Sequence, residues 1–164
     1  MRRLTLPALA ILLAAPASAQ TYPDHPIRII VPTPAGGPVD VMARLVASAL
    51  PVALGQNIVV ENKPGAGNII GSKIAADAAP DGYTLTVSAA SGLIMSPMIY
   101  KNAGYDAESF APIALIAETP QLLVINPQLP VKSVAELVAY AKANPGKLNY
   151  STGGVGTLPH LSAE

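Results

Sequence analysis

Strand-like segments rich in β-branched residues alternate with helix-like segments along the first half of the chain. Residues 27–31, 58–60 and 83–88 predict strands, the first of which reads Ile-Arg-Ile-Ile-Val. Residues 40–55 and 68–79, which follow the first two, carry apolar side chains at helical spacing and predict helices. Strands that alternate with helices form a parallel sheet with helices on its faces. The predicted fold class is therefore α/β.

The later part of the chain predicts three further short strands and another helix. Apolar runs at residues 113–117, 122–125 and 148–151 predict the strands. Ser133 predicts the N-cap of a helix that ends near residue 144, because Glu136 stands three residues on, in the capping-box position. The alternation of strands and helices thus continues towards the end of the chain.

Proline content and the end of the sequence bear on how much of a fold is present. Seventeen prolines in 164 residues argue against a helix bundle, because proline interrupts helices. Residues 89–102 predict a short helix broken at Pro97. A last helix begins near Leu158 and has less than two turns before the sequence stops. We therefore expect a fragment or the N-terminal part of a longer product; the alternative is a small complete domain with a frayed final helix.

The first 19 residues have the features of a secretory signal peptide. Arg2 and Arg3 form a basic start, residues 4–15 are apolar but too short to span a bilayer, and Ala-Ser-Ala at 17–19 fits the cleavage pattern. The alternative is an N-terminal core helix, which the two prolines in this segment fit poorly. We expect cleavage after Ala19 and export of a mature chain that does not span a membrane, because no later apolar run is long enough.

Composition excludes several classes of function. The absence of cysteine excludes disulfide scaffolds, iron–sulfur clusters, thiolate zinc sites and a cysteine nucleophile. The two histidines, His25 and His160, are too few for a histidine-rich metal site, so no metal and no other cofactor is predicted. Ten basic residues balance ten acidic ones with no basic run, which argues against nucleic-acid and membrane-surface partners.

Three glycine-rich turns, at residues 34–38, 65–67 and 153–156, each follow a predicted strand and precede a predicted helix. In open α/β sheets this edge binds ligands. Glycine lets a backbone approach an anion closely, and a helix N-terminus offers it N–H groups. The spacing matches neither the dinucleotide fingerprint nor the phosphate-binding loop of nucleotide hydrolases. The alternative for each turn is that glycine only makes a short connection.

Polar residues near these turns have both a functional and a structural interpretation. Asp40 could contact a ligand, but capping of the helix that it opens is favoured. His160 could contact a ligand, but a satisfied structural histidine is favoured. Ser151 and His160 could pair in a secreted α/β hydrolase, although no third catalytic group is evident. No catalytic residue is therefore predicted.

The motifs around these turns resemble those of one known family. The resemblance is carried, in order, by residues 22–27, 31–40, 54–56, 59–67, 78–85, 126–127, 143–150 and 154–161. These blocks are similar to the Bug (TctC-like) receptors, the solute-binding proteins of tripartite tricarboxylate transporters, over essentially the whole mature chain.

The resemblance implies a longer chain with two α/β lobes, as in type II periplasmic binding proteins. It divides the sequence into a signal peptide at 1–19, an incomplete first lobe at 20–115 and the truncated start of a second lobe at 116–164. The implied protein is a periplasmic receptor and not an enzyme. Its implied partners are a small carboxylate, held between the lobes, and the membrane components of the transporter. The alternative is a truncated fragment that binds nothing by itself.

By the same resemblance, the carboxylate is bound in the glycine-rich turns, largely through backbone groups and water. Thr33 stands where family members usually carry phenylalanine, and Pro38 removes one N–H donor. Gly153 and Val155 stand where polar residues are frequent. The ligand-binding residues carried over are Pro34, Ala35, Gly36, Gly37, Asp40, Ala66, Gly67, Asn68, Ser88, Ala89, Thr152, Gly153, Gly154, Gly156, Thr157 and His160.

Overall fold

A three-stranded parallel sheet forms the centre of the molecule, for which a computed structural model describes residues 21–164. Ile29 of the central strand lies between Val60 and Leu85 of its two neighbours. The predicted parallel sheet is confirmed, whereas the predicted signal peptide lies outside the described residues. The strands stand in the order β2-β1-β3 and are β1 (Ile27–Val31), β2 (Ile58–Asn62) and β3 (Thr84–Thr86).

Two helices cover the sheet. Because the crossovers from β1 to β2 and from β2 to β3 run in opposite directions, right-handed connections place their helices on opposite faces. On one face, Ile29 and Val31 pack with Ala43. Ile30, whose side chain alternates to the other face, is also fully buried, and a buried isoleucine contributes about 1.5–3 kcal/mol. The helices are α1 (Pro38–Leu54), after β1, and α2 (Ile69–Ala76), after β2.

Helix α1 begins two residues before its apolar pattern predicts. Gly37 is the N-cap, and Pro38 lies at the start of the first turn. Proline fits there because a backbone N–H at this position would have no acceptor within the helix. At the other end Gly55 has a φ of 67° and donates its N–H to the carbonyl of Pro51 at 2.9 Å. The helix therefore starts directly from the turn that follows β1.

A helical segment after β3 passes through Pro97 without a break. Ser91–Met95 forms a π-type turn that leads into α3 (Ser96–Ile99). The predicted break at Pro97 is wrong, because this proline lies in the first turn of α3, where proline is tolerated.

Two further helices follow, α4 (Val134–Ala143) and α5 (Leu158–Ala163). The predicted N-cap of α4 is confirmed, since the Ser133 hydroxyl accepts the N–H of Glu136 at 3.2 Å. The Glu136 carboxylate reaches back to the N–H of Lys132 at 2.7 Å. Within residues 21–164, the helices are all too short or too polar to cross a membrane.

The strands predicted at residues 113–117, 122–125 and 148–151 are not formed in the described part of the chain. A strand requires a neighbouring backbone to satisfy its N–H and C=O groups. Residues 21–164 bring no such neighbour alongside these segments, so Leu122 and Val124 stay 86% and 84% exposed. The apolar pattern of these segments is typical of strands, but the pairing that would make strands is missing.

Candidate functional site

Three loops meet at one edge of the sheet because the strands that they follow are parallel. The loops at residues 32–37, 63–68 and 87–90 follow the carboxyl ends of β1, β2 and β3. This edge is where open α/β sheets bind ligands. The sequence-predicted site residues from Pro34 to Ala89 all lie in these loops or in the first turn of α1.

In the described part of the chain, the loop after β1 and the first turn of α1 have backbone N–H groups without an acceptor. Gly36, with a φ of 82°, donates its N–H to Asp40, and Gly37 donates to the carbonyl of Pro34 at 3.4 Å. Within residues 21–164, no acceptor contacts the N–H groups of Ala35, Val39 or Asp40. These three donors, with the partial positive charge of the α1 N-terminus, can bind an anion.

Asp40 is buried, with 2% of its surface exposed, and its carboxylate is surrounded by donors. The Gly36 N–H lies 2.7 Å and the Arg44 Nε 3.0 Å from Oδ2, while Asn62 Nδ2 lies 2.9 Å from Oδ1. The Arg44 guanidinium, followed by the Gly36 N–H and the Asn62 amide, lowers the pKa of Asp40 to about 2. The predicted capping role is wrong, because the N-cap is Gly37 and Asp40 is the third residue of α1.

The loop after β2 contains a run of left-handed residues. Gly65, Ala66, Gly67 and Asn68 have φ values of 131°, 46°, 64° and 76°. For alanine this conformation is strained, at a cost of roughly 1–2 kcal/mol, whereas asparagine tolerates it better. Ser96 helps to hold it, donating its hydroxyl hydrogen to the carbonyl of Gly67 at 2.5 Å. Strained backbone concentrates at functional sites, where it exposes successive N–H groups.

The loop after β3 packs beside Asn68. A Cβ on Gly92 would lie 2.6 Å from Ser88 Oγ and 3.1 Å from the Asn68 Cβ, so only glycine allows this approach. Asn68 donates from Nδ2 to Ser91 Oγ at 3.4 Å. The structure thus brings the predicted residues Asn68 and Ser88 together, while the neighbouring Ala89 is exposed.

The glycine-rich loop at residues 152–157 lies near Gly67. Tyr100 donates its hydroxyl hydrogen to the carbonyl of Val155 at 3.3 Å, and its ring packs against both Gly67 and Gly156. Sequence analysis did not find Tyr100, because nothing in its local pattern distinguishes it from a core aromatic residue. Hydrogen bonds order the loop itself: Thr157 donates from Oγ1 to the Gly154 carbonyl, and the N–H of Gly154 donates to Thr152 Oγ1; Gly153 is exposed.

His160 has no hydrogen bond to the 152–157 loop within the described residues. Its Nε2 lies 3.9 Å from a Glu164 oxygen, and its buried Nδ1 has no partner in residues 21–164. The favoured interpretation, a satisfied structural histidine, therefore stays a prediction. The same part of the chain shows no hydrogen bond between His160 and Ser151, so the geometry of a nucleophile and base is not formed.

Besides Tyr100, sequence reasoning missed three further residues at this edge. Arg44 and Asn62 bind the Asp40 carboxylate, and the spacing of four residues from Asp40 to Arg44 on a helix could have predicted their pairing. Thr33 has a buried hydroxyl with no hydrogen-bond partner within residues 21–164. A buried polar group without a partner costs about 1–3 kcal/mol, so this hydroxyl is suited to a ligand or a water.

A concave pocket with a volume of about 310 Å³ lies at the opposite edge of the sheet, before β1 and β3. Asp24 there accepts a hydrogen bond from the Tyr83 hydroxyl at 2.8 Å, and Tyr83 is stacked on His25. The Tyr83 hydroxyl, and then His25, lower the pKa of Asp24. Asp24 and Asp81 both line this surface, so it does not favour an anion.

Curated relatives align with nearly the whole chain. This chain is 42% identical over 164 residues to a protein of the UPF0065 group and 43% identical over 158 residues to the protein BugT, both from Bordetella pertussis. These alignments cover 100% and 93% of this chain but 50% and 47% of the relatives. The chain therefore spans about half the length of the curated relatives that it matches.

Solved structures share the fold. "R. palustris Rpa4515 with adipate" is 34% identical with a TM-score of 0.75, and the periplasmic binding protein BugD is 36% identical with a TM-score of 0.65. Each alignment covers 87% of this chain and 48% of that chain. MatC from Rhodopseudomonas palustris with bound malate is 34% identical, with a TM-score of 0.67, over 74% of this chain and 42% of that chain.

The fold is thus that of periplasmic binding proteins, with the described residues covering about half of one. Residues 42–164 match the family described as "Tripartite tricarboxylate transporter family receptor" (TctC). Since this match covers most of the sequence, the resemblance noted in the sequence motifs is confirmed. The chain belongs to the tripartite tricarboxylate transporter receptor family.

Proposed function

We propose that this chain is part of a periplasmic receptor that binds a small di- or tricarboxylate between two lobes and delivers it to the membrane components of a tripartite transporter. Members of this family are solute-binding receptors and not enzymes, so the hydrolase alternative is wrong. The related structures with adipate and with malate support a dicarboxylate as the ligand.

The N–H groups at the carboxyl edge of the sheet carry the proposal. The donors of Ala35, Val39 and Asp40 have no acceptor within residues 21–164 and lie in the turn before α1 and in its first turn. They are neutral, and within the loop at residues 32–37 there is no arginine or lysine. One carboxylate of the ligand would accept hydrogen bonds from this turn, next to the Thr33 hydroxyl.

The free energy that this turn alone can contribute to binding is too small for micromolar affinity, so the ligand needs a second binding surface. A charge-assisted hydrogen bond contributes about 1.5–3 kcal/mol net and a helix terminus at most about 2 kcal/mol, so three N–H donors and the terminus give at most about 11 kcal/mol, from which association takes about 4 kcal/mol or more. Micromolar affinity requires about 8 kcal/mol after the cost of association. We assign the second surface to Gly67–Asn68 with Ser88–Ala89 and to the loop at 152–157, which closes on the ligand when the lobes move together.

We also propose the division of the chain into a cleaved signal peptide at 1–19, a first lobe at 20–115 and the beginning of a second lobe at 116–164. The described residues support the boundary near 115 in two ways. The sheet and its two helices lie before it, and an exposed segment without helix or strand follows it.

Thermal unfolding with and without ligand tests the proposal. The full product of the gene is purified from the periplasm, and its melting temperature is measured with malate, succinate, adipate and citrate at millimolar concentration. A ligand at 100 times its Kd should stabilise the native state by about 2.7 kcal/mol. The matching methyl esters, which lack the charge, are the control. Binding of none of the four acids, or equal binding of an ester, would contradict the proposal.

The same purified material tests export and completeness. Mass spectrometry of the N-terminus should show Gln20 as the first residue. If residues 21–164 expressed alone bind none of the acids that the full product binds, the truncated-fragment alternative applies to this portion.

A further inference from the structure

Arg44 connects Asp40 and Asn62, the two side chains that hold the turn before α1. Its Nε donates to Asp40 Oδ2 at 3.0 Å, and its Nη2 donates to Asn62 Oδ1 at 3.0 Å. Asn62 in turn donates from Nδ2 to Asp40 Oδ1 and, at 3.1 Å, to the carbonyl of Thr33. The guanidinium is about half exposed, whereas the carboxylate that it contacts is buried.

The position of Asp40 creates an electrostatic problem for an anion-binding turn. Its carboxylate accepts the N–H of Gly36, which neighbours the N–H of Ala35 that we assign to the ligand. A ligand carboxylate on Ala35 would therefore lie about one peptide unit from a second carboxylate. Two like charges at this separation repel each other strongly when the site is partly buried.

Arg44 is the cation that contacts Asp40 among the described residues. On β2, Glu61 alternates to the opposite face of the sheet from Asn62 and pairs with Lys63 at 3.3 Å and Arg28 at 3.9 Å. On α1, no charged residue follows Arg44 up to Leu54. Removing the guanidinium would thus leave the Asp40 charge without compensation.

We propose that Arg44 is the charge-compensating residue of the ligand site: it neutralises the buried Asp40 carboxylate, so that the first turn of α1 attracts an anion rather than repelling it. Arg44 touches Asp40 and not the ligand, so it acts as a positioning residue. This inference rests on the proposed function and adds a determinant of its selectivity for charged ligands.

Calorimetric titration of the full protein with malate, succinate, adipate and citrate at pH 7.5 tests the inference. We expect Arg44→Gln to weaken binding at least tenfold at 20 mM salt and less at 300 mM, because salt screens the repulsion. Arg44→Lys keeps the charge but gives up one of the two hydrogen bonds of the guanidinium, so charge compensation alone predicts affinity within about threefold of the unaltered protein. The double variant Arg44→Gln with Asp40→Asn removes both charges and should regain most of the affinity.

A purely structural role for Arg44 gives a different pattern. In that case the double variant would bind no better than Arg44→Gln, and the salt dependence would not change. Lys73→Gln is the matched control, because Lys73 pairs with Asp77 four residues on at 2.7 Å, on α2. It should leave affinity unchanged. If Arg44→Gln does not fold, Arg44→Lys decides: compensation predicts affinity within about threefold of that of the unaltered protein, and a larger loss overturns it.

The outcomes separate the inference from the function on which it rests. If the unaltered protein binds none of the four acids, the proposed function is wrong and the inference with it. If it binds one of them and Arg44→Gln binds that acid equally well, only the inference is wrong.

Discussion

The Tyr100 hydroxyl donates to the carbonyl oxygen of Val155, joining parts of the chain that are 55 residues apart. The ring also separates two glycines, since a Cβ on either Gly67 or Gly156 would lie 3.2 Å from the same ring carbon, Cε2. Both glycines have positive φ values. Tyr100 is therefore the point at which the loop after β2 meets the loop before α5.

Tyr100 variants should separate the contribution of the hydroxyl from that of the ring. Because the hydrogen bond is long and exposed, Tyr100→Phe should lower the free energy of unfolding by only about 0.5 kcal/mol. Tyr100→Ala removes the packing against both glycines and should cost roughly 1–3 kcal/mol. Urea denaturation measures both values. Equal stability of Tyr100→Ala and the unaltered protein would show that the ring does not join the two loops.

Thr33→Val should stabilise the protein without ligand and weaken its binding. Valine has nearly the same shape but no hydroxyl, so the buried polar group without a partner is removed. The free energy of unfolding should therefore rise by up to about 1 kcal/mol. A ligand or water that uses this hydroxyl would lose a hydrogen bond. Thermal melts and calorimetry of the same sample measure the two effects.

Thr86→Val is the matched control for Thr33→Val. The Thr86 hydroxyl donates to the carbonyl of Ile30 at 3.0 Å, so its removal should destabilise the sheet by about 1 kcal/mol. If both variants change stability in the same direction, the Thr33 hydroxyl does have a partner.

The stability of the protein should fall in acid because of Asp40. Its pKa is about 2 in the folded protein, below the ordinary value of 3.8, so the stabilisation that it provides is present above pH 3.8. That stabilisation is lost as the pH falls from about 4 through 2. Melting temperatures between pH 5 and pH 2 measure the effect. Asp40→Asn should flatten this part of the curve; an unchanged slope would assign the effect to other carboxylates.

Gly71→Ala should strongly destabilise the protein. A Cβ at this position would lie 2.6 Å from the Lys63 carbonyl oxygen and 2.7 Å from the Pro32 Cα, both backbone atoms that cannot move aside. We expect a loss of at least about 3 kcal/mol or failure to fold. Gly153→Ala is the control, because nothing lies within 4 Å of its Cβ position; it should stay within about 0.5 kcal/mol. Equal stability of the two variants would contradict the close packing of α2 on the backbone that directly follows β1 and β2.

Local sequence patterns predicted the first half of the fold because tertiary pairing agrees with them there. The β-branched run at β1 is buried on both faces, and the helical spacing after it matches α1 and α2. At 113–117 and 122–125 the same kind of pattern was insufficient, because a strand depends on a partner that a local pattern cannot supply. The two-lobed fold came from family resemblance and not from periodicity.

The candidate site was predictable as a set of loops but not as a network. Glycine-rich turns after strands indicated the correct edge of the sheet. The partnership of Asp40 with Asn62 joins residues 22 positions apart, and that of Gly67 with Tyr100 depends on backbone conformation, so neither leaves a local signal. Among the contacts of Asp40, only the pairing with Arg44 could be recognised in the sequence, because the two residues are four positions apart on a helix.

The exposed segment that follows the proposed first lobe has a consequence for handling the protein. Residues 121–125 read Gln-Leu-Leu-Val-Ile, carry no charge and belong to no helix or strand, with Leu123 61% exposed. Short uncharged segments of this kind add to the edge of any sheet that they meet, including one in another copy, and so seed aggregation. Concentrated preparations of residues 21–164 should therefore associate through this segment, and Leu123→Lys should keep them apart.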